Sequence, residues 1–391
     1  MSNNNIGIDM VKVARIQKIY DKYGNKFLEK IFNNTEISYI KNKKFKTETI
    51  AGMFSFKESI SKSLGTGFGE KLKFKDINIS HDKLGKPMGK VGDKNFLLSA
   101  SHDGDYVVTF AMVNNETIEI SESIRKLYIP RRDDFHKGDY GKTMIIASSE
   151  GMIGSGFLAS KAALKAGCGV TYHYVFEEDN IFQSLSIKHT EVILKKDNPI
   201  ISLEKMNSVL FGCGLGISRK KREVLTELLN SDINLVIDAD GINMLAEDTS
   251  RLFTKKAKLV LTPHILEFSR LIKEVIPPGK KLYSYAKDFA KVNNLVLVLK
   301  DSKTMITDGE RVEFIERENS GMATPGSGDV LAGIITSLIS QGYSCFDGAF
   351  LGAQIHSLAG LVAANKKSKA SMIASDIIDG MDSVFKELEE R

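Results

Sequence analysis

Two groups of residues in this sequence have types and spacing suited to chemistry on phosphates. One is the stretch Asn319-Ser320-Gly321-Met322-Ala323-Thr324-Pro325-Gly326-Ser327-Gly328-Asp329, which leads into an apolar run at 330–339. Glycines that open a helix leave backbone N–H groups free where the helix dipole favours an anion, so Gly326, Ser327 and Gly328 form a candidate phosphate cradle. Asp329 then stands where it can take a proton from an attacking hydroxyl. The plainer alternative is a glycine-rich turn with Asp329 as its N-cap.

The other group is split. Asp9 closes the short apolar run Ile6-Gly7-Ile8, and Arg15 follows six residues on. Farther along, Phe54-Ser55-Phe56-Lys57-Glu58-Ser59-Ile60-Ser61-Lys62-Ser63-Leu64-Gly65-Thr66-Gly67 reads as a helix stopped by glycine. Glu58 and Lys62 are four apart and share a face, which offers an anion for a hydrated divalent cation and a cation for a phosphate. The alternative is a surface pair that stabilises the helix by roughly 0.2–0.5 kcal/mol.

These residues need elements to hold them. Residues 137–391 alternate short apolar runs (144–147, 209–211, 235–238, 259–261, 295–299) with helical stretches such as 156–166 and 222–229. That alternation predicts a mostly parallel sheet covered on both faces. Residues 1–116 predict a mixed α+β domain with strands near 6–10, 74–80, 96–101 and 106–113. Residues 117–136, with Pro130 and adjacent charges, read as a linker carrying a short helix. Asp238, at the end of an apolar run, suits a ligand contact or a buried cap.

Composition narrows the function classes. With 42% apolar and 26% charged residues in 391, the chain has the balance of an ordinary globular protein of two or three domains. Its start shows no signal peptide, and no apolar run is long enough for a bilayer, which points to the cytoplasm. Cys168, Cys213 and Cys345 lie far apart, arguing against a disulfide framework or zinc site and for reduced core residues. Residues 1–115 carry 19 Lys/Arg against 12 Asp/Glu, a balance of +7, while the remainder carries −2. A basic first domain suits an acidic partner or a polyphosphate, and the scattered lysines match no nucleic-acid-binding motif.

Gly7-Ile8-Asp9, the Phe54–Gly67 pattern and Ser99-Ala100-Ser101-His102-Asp103, in this order, resemble holo-[acyl-carrier-protein] synthase over residues 5 to about 113. The resemblance implies a phosphopantetheinyl transferase fold and Mg2+-dependent transfer of 4′-phosphopantetheine from coenzyme A to a serine of an acidic apo acyl carrier protein. It implies Asp9 and Glu58 as magnesium ligands, Glu58 and Lys62 as catalytic groups, and Arg15, Lys62, Ser101 and His102 as coenzyme A contacts. It also implies a homo-oligomer. Arg15, Lys18 and Lys22, at helical spacing, are the expected carrier-protein contacts. A non-catalytic oligomerisation module is the competing reading.

The Gly-x-Gly-Asp turn resembles the anion hole of ribokinase-like kinases. Together with Lys137-Gly138-Asp139-Tyr140-Gly141-Lys142, Gly151-Met152-Ile153-Gly154-Ser155-Gly156, Gly212-Cys213-Gly214-Leu215-Gly216, Val236-Ile237-Asp238-Ala239-Asp240-Gly241 and Leu261-Thr262-Pro263-His264, it is similar to the ADP-dependent NAD(P)H-hydrate dehydratase family over about 130–391. That implies an α/β ribokinase-like three-layer sandwich. It also implies ADP, with ATP the alternative donor, held at Lys300, Gly326, Ser327 and Gly328. NADH or NADPH hydrate would lie against Gly156, Gly214, His264 and the catalytic Asp329. Leu266 and Asp301 stand where the family pattern has glycine, changes expected to narrow the hydrate pocket and to weaken nucleotide binding. The epimerase domain often joined to this dehydratase has no counterpart in the sequence. A small-alcohol kinase is the competing reading.

Overall fold

The computed structural model describes residues 5–82, 84–92, 94–114, 118, 120–176, 179–196, 198–316 and 319–390. The chain forms two compact units, Met1–Thr117 and Ile118–Arg391.

The first unit is a five-stranded antiparallel sheet of β1 (Ile6–Lys12), β2 (Ile77–His81), β3 (Pro87–Val91), β4 (Lys94–Asp103) and β5 (Tyr106–Asn114), in the order β1-β5-β4-β3-β2. The β1 burial pattern alternates strictly, so Gly7, Asp9 and Val11 face inward while Ile6, Ile8 and Met10 face out. The helix Thr47–Leu64 covers the inner face, burying Ile50, Met53, Phe56 and Ile60 against Val11, Phe96, Leu98, Val107 and Ala111. Gly7 sets how close it comes: a Cβ there would lie 1.9 Å from the Ser59 carbonyl oxygen. The helix ends at Gly65, whose left-handed φ of 70° suits glycine.

Lys57 is no part of the exposed chemistry. Its ammonium lies 2.7 Å from Glu36 with both side chains fully buried, and donates to the carbonyls of Phe74 and Ile77. Glu36 accepts from the backbone N–H of Asn33 and Ile79, tying the helix Asn34–Asn42 to β2.

The second unit contains a nine-stranded sheet: β6 (Lys142–Ile146), β7 (Val170–Tyr174), β8 (Ile193–Lys195), β9 (Ser208–Phe211), β10 (Asn234–Ile237), β11 (Lys258–Leu261), β12 (Val296–Leu299), β13 (Thr304–Thr307) and β14 (Val312–Ile315). The order is β14-β13-β12-β11-β10-β9-β6-β7-β8, parallel except for the β12-β13-β14 meander. Both faces are covered, as the expected three layers require: Met144, Val209, Leu235 and Leu259 enter one core, and Ile145, Leu210, Val236 and Val260 the other. Chain order reverses between β6 and β9. Such a switch point opens a crevice beyond the carboxyl ends of the strands.

The expected border at 116/117 lies outside the described residues. Of the segment expected to be a linker, Ile118, Ile124 and Tyr128 are buried in the core of the second unit. Its helix Glu122–Leu127 is tied down by the Arg125–Glu387 ion pair. Ile129 N–H donates to the Tyr343 hydroxyl at 2.7 Å. Among the described residues, no helix is long and apolar enough to cross a membrane.

Candidate functional site

In the second unit, residues following successive strand ends converge. Gly212–Gly216 follows β9, Asp238 follows β10, Thr262 and His264 follow β11, and Lys300 follows β12. The helix Ser327–Ser340 points its N-terminus at them. Its N-cap is Gly326, at φ 88°, so Asp329 occupies the third helical position instead of capping. A Cβ at Gly328 would lie 3.3 Å from Lys300 Nζ, so the absence of a side chain leaves the cradle open beside that ammonium.

Lys300 Nζ lies 2.7 Å from Asp238 Oδ1, which also accepts from the Thr262 hydroxyl at 2.7 Å. The Cys213 thiol faces Asp238 Oδ2 at 3.6 Å. Ligand-capable atoms of Cys213, Asp238 and Asp329 all lie within 4.8 Å of one another. Burial, then the neighbouring Asp238, lifts the Asp329 carboxyl to about 6, against hydrogen bonds from Cys213 and Ser155 and the charge of Lys300. Burial opposes the Lys300 charge, but Asp238 and Glu267 hold its pKa above the ordinary lysine value. The Cys213 thiol is pushed well up by burial and by both aspartates, so it is a protonated donor near neutral pH. The site thus presents a half-buried carboxylate of moderate basicity beside a lysine and a helix N-terminus. That arrangement can take a proton from a hydroxyl next to a bound phosphate.

Other expected residues are placed as follows. Gly214 lies at φ 53°, where a Cβ would meet Ser155 Oγ at 2.7 Å. Gly156 is buried, and the space for a Cβ there is taken by Ser148 and His173. His264 caps the helix Ile265–Ile272, accepting from Leu266 N–H and Glu267 N–H, with its ring half-exposed. Leu266 is 61% exposed. The ion pair of Lys300 is with Asp238, not with the adjacent Asp301. Ser327 Oγ meets the buried His356 ring at 3.3 Å, and burial depresses that imidazole to about 4.

Cys213, expected as a plain core residue, belongs to this cluster; Thr262, Ser155 and His356 join it without having been singled out. The Gly-Cys-Gly spacing directly after β9 was the available signal for Cys213. Thr262 was visible only as a member of the Leu261-Thr262-Pro263-His264 run, with no role assigned to it.

In the first unit, Asp9 is buried and takes two contacts: Lys62 Nζ at 2.7 Å and Ser55 Oγ at 2.7 Å. Glu58 lies beside them, and burial, then Asp9, raises its carboxyl pKa against the pull of Lys62 and Arg15. The structure therefore brings Asp9, Glu58, Lys62 and Arg15 together. Ser101 and His102 part company. His102 pairs with buried Val107 and approaches Gly52 of the helix Thr47–Leu64, whereas Ser101 pairs with Val108 on the open face.

Comparison with known proteins gives two matches. Residues 143–382 match the model of the NAD(P)H-hydrate dehydratase family, and residues 5–111 that of the 4′-phosphopantetheinyl transferase superfamily. The bifunctional NAD(P)H-hydrate repair enzyme Nnr of Moorella thermoacetica is 36% identical over 281 residues, 67% of this chain and 52% of that one. The ADP-dependent (S)-NAD(P)H-hydrate dehydratase of Neisseria meningitidis is 32% identical over 256 residues, 64% of this chain and 85% of that one. This chain thus spans about half the length of the Moorella relative. The crystal structure of ADP/ATP-dependent NAD(P)H-hydrate dehydratase from Bacillus subtilis superposes with a TM-score of 0.62 at 23% identity, covering 68% of this chain and 97% of that one, a likeness of fold.

Proposed function

Because this chain belongs to the NAD(P)H-hydrate dehydratase family and carries a 4′-phosphopantetheinyl transferase superfamily domain ahead of it, we propose that it is a bifunctional enzyme of the cytoplasm. Residues 137–391 dehydrate NADH or NADPH hydrate at the expense of ADP. Residues 1–116 transfer 4′-phosphopantetheine from coenzyme A to an apo acyl carrier protein.

The observation that carries the dehydratase reading is Asp329, with its carboxyl at about 6, in the first turn of the helix that follows the glycine cradle. Asp329 takes the proton of the ring hydroxyl. The oxygen attacks the terminal phosphorus of ADP, held by the N–H groups of Gly326, Ser327 and Gly328 and by Lys300, and the phosphoanhydride breaks to release AMP. The C–O bond then breaks as the ring-nitrogen lone pair expels phosphate, and loss of a proton from the adjacent ring carbon to the departing phosphate or to water restores the carbon–carbon double bond. Gly214, on the loop after β9, and His264, on the loop after β11, border the space for the hydrate.

For the transferase, the donor set suits Mg2+. Asp9 and Glu58 are close carboxylates that repel one another, and they offer the oxygen ligands this hard cation takes. Bound there, the ion neutralises pyrophosphate charge. Lys62 and Arg15 bind phosphate oxygens, and Glu58 accepts the proton of the carrier-protein serine. His102, on the helix side of the sheet near Gly52, and Ser101, on the open face, are the further coenzyme A contacts of this reading. The exposed Arg15, Lys18 and Lys22 meet the acidic carrier protein. The outer sheet face, with Ile6, Ile8 and Met10 all more than half exposed, supports association with further copies of the chain.

The deciding experiment mixes the protein with magnesium, hydrated NADH and either ADP or ATP, following the near-ultraviolet absorbance of NADH and phosphate release. Recovery that requires nucleotide and disappears in Asp329→Asn supports the dehydratase and names its donor. A stable phosphorylated product instead of free phosphate would mean a kinase. Magnesium-dependent mass gain on an apo carrier protein tests the first unit.

A further inference from the structure

We infer that Ser55 and Thr109 are positioning residues of the transferase site: a chain of two buried hydroxyls, Thr109 to Ser55 to Asp9, fixes the plane of the Asp9 carboxylate and leaves Oδ1 as the oxygen turned to the cation. The inference rests on Asp9 being the cation ligand proposed above.

The chain joins three elements. Asp9 on β1 and Thr109 on β5 are direct cross-strand partners, so their side chains share the inner face of the sheet. Ser55 reaches them from the helix Thr47–Leu64. Its hydroxyl lies 2.7 Å from Asp9 Oδ2 and 2.8 Å from Thr109 Oγ1, and Ser55 and Thr109 are both fully buried.

The direction of the protons follows from the acceptor. Asp9 Oδ1 takes the Lys62 ammonium at 2.7 Å, and a carboxylate accepts without donating. Ser55 therefore donates to Oδ2. With its one proton committed there, the Ser55 oxygen accepts, and Thr109 is the donor.

Ser55 does this against a local alternative. In the same helix Ser59, Ser61 and Ser63 turn their hydroxyls back to the carbonyls of Phe56, Glu58 and Ile60. Ser55 instead bonds to a side chain 46 positions away, and the Thr109 hydroxyl on its oxygen holds it in that orientation.

The effect is on geometry. The terminal torsion of an aspartate lies in a broad well, so an unheld carboxylate plane rotates widely. A donor on each oxygen removes that freedom. Oδ2 is turned to the buried hydroxyls, and Oδ1 to Lys62, whose side chain is half-exposed and marks the open side of the site. Each carboxylate oxygen has two lone-pair positions, so Oδ1 can keep Lys62 and still take a cation. Mg2+ demands near-ideal octahedral geometry, which makes the orientation of its ligand a determinant of affinity.

The test is binding of Mn2+, a paramagnetic stand-in for Mg2+, to the full chain with coenzyme A present, followed by electron paramagnetic resonance, with mass gain on an apo carrier protein measured alongside. Ser55→Ala should weaken Mn2+ binding roughly tenfold and raise the half-saturating Mg2+ concentration for transfer to match. Thr109→Val should weaken binding less, since Ser55 keeps its proton but is free to turn back to its own helix. Thr109→Ser, which keeps the hydroxyl, should bind as the wild type does. A merely structural role would lower the melting temperature of Ser55→Ala and leave its Mn2+ affinity unchanged, and that result would overturn the inference. Should Ser55→Ala lack a cooperative melt, Thr109→Val and Thr109→Ser decide: equal Mn2+ affinity in the two would overturn it as well. Wild-type protein that modifies the carrier protein but binds no Mn2+ would refute the positioning role and leave transfer standing. Mn2+ binding with the expected order of variants, in a protein that never modifies a carrier, would refute the transferase reading alone.

Discussion

Consider Gly7→Ala, a change of one methyl group at a strand position that makes no contact with substrate in the proposed transfer. The added Cβ would stand 1.9 Å from the Ser59 carbonyl oxygen and 2.5 Å from the Ser63 nitrogen, both backbone atoms of the helix Thr47–Leu64. No rotamer can relieve contacts with backbone, so helix and strand must separate by about 1.5 Å to reach ordinary contact distance. Overpacking of this kind costs about 1–3 kcal/mol. The separation also acts on chemistry, because Asp9 rides on the strand while Glu58 and Lys62 ride on the helix. The 2.7 Å bond between Lys62 and Asp9 cannot survive such a shift unaltered. Misplacement of about 1 Å among catalytic groups costs on the order of 100-fold in rate. The assay is mass gain on an apo carrier protein under single-turnover conditions, with NADH recovery by the second unit measured in the same sample. We expect transfer to fall at least about tenfold, the first thermal transition to drop, and NADH recovery to hold. Transfer at the wild-type rate with an unshifted transition would show that the contact between Gly7 and the helix does not align the site.

Removing one member of the buried Lys57–Glu36 pair, as in Lys57→Met, strands a carboxylate without exposure to water and should destabilise the first unit by about 3–5 kcal/mol in chemical denaturation. If Asp329 is the base, kcat/KM for NADH recovery falls tenfold per pH unit below about pH 6, and Asp329→Asn removes that limb together with the activity. His173, His189 and His356 are held neutral at about 3, 4 and 4 by burial, the first two ring to ring at 3.1 Å. The unfolded chain protonates these rings near pH 6.5 and the folded one does not. The second unit should therefore lose stability steadily as pH falls from about 6.5 towards 4, seen as a falling melting temperature. A flat profile over that window would contradict the neutral assignment.

What the sequence made legible is what short range determines. The cradle and Asp329 are one contiguous stretch, and the helix carrying Glu58 and Lys62 announces itself by spacing and a terminal glycine. The central strands stand out as apolar runs because both their faces are buried. Other features depend on partners distant in the chain. β3 contains Pro87 and Gly89, poor strand formers, and exists because the bare Gly89 lets Ile60 of the covering helix come close. Residues 118–128 look like a linker by polarity, since their buried members Ile118, Ile124 and Tyr128 are too widely spaced to form a run. The pairing of Lys300 with Asp238, separated by 62 positions, leaves no mark on either neighbourhood. Ser101 and His102 are adjacent in sequence, and only the pleat of β4 shows that they serve opposite faces.

The site of the second unit draws on residues after β9, β10, β11 and β12 and on a helix that begins at Ser327, so no fragment of the chain contains it. Its chemistry is a property of the assembled sheet. During synthesis, Cys213 and Asp238 emerge from the ribosome long before Asp329, and until the helix Ser327–Ser340 docks they form half of a charge arrangement whose other half does not yet exist. Recovery of phosphate release should accordingly be the last signal to return on refolding, after helical content and after the first unit, whose proposed site residues all lie between Asp9 and Thr109. Activity in this unit is in that sense an assay of long-range order, and a nick or a slipped strand anywhere along the carboxyl edge would be read out as silence at Asp329.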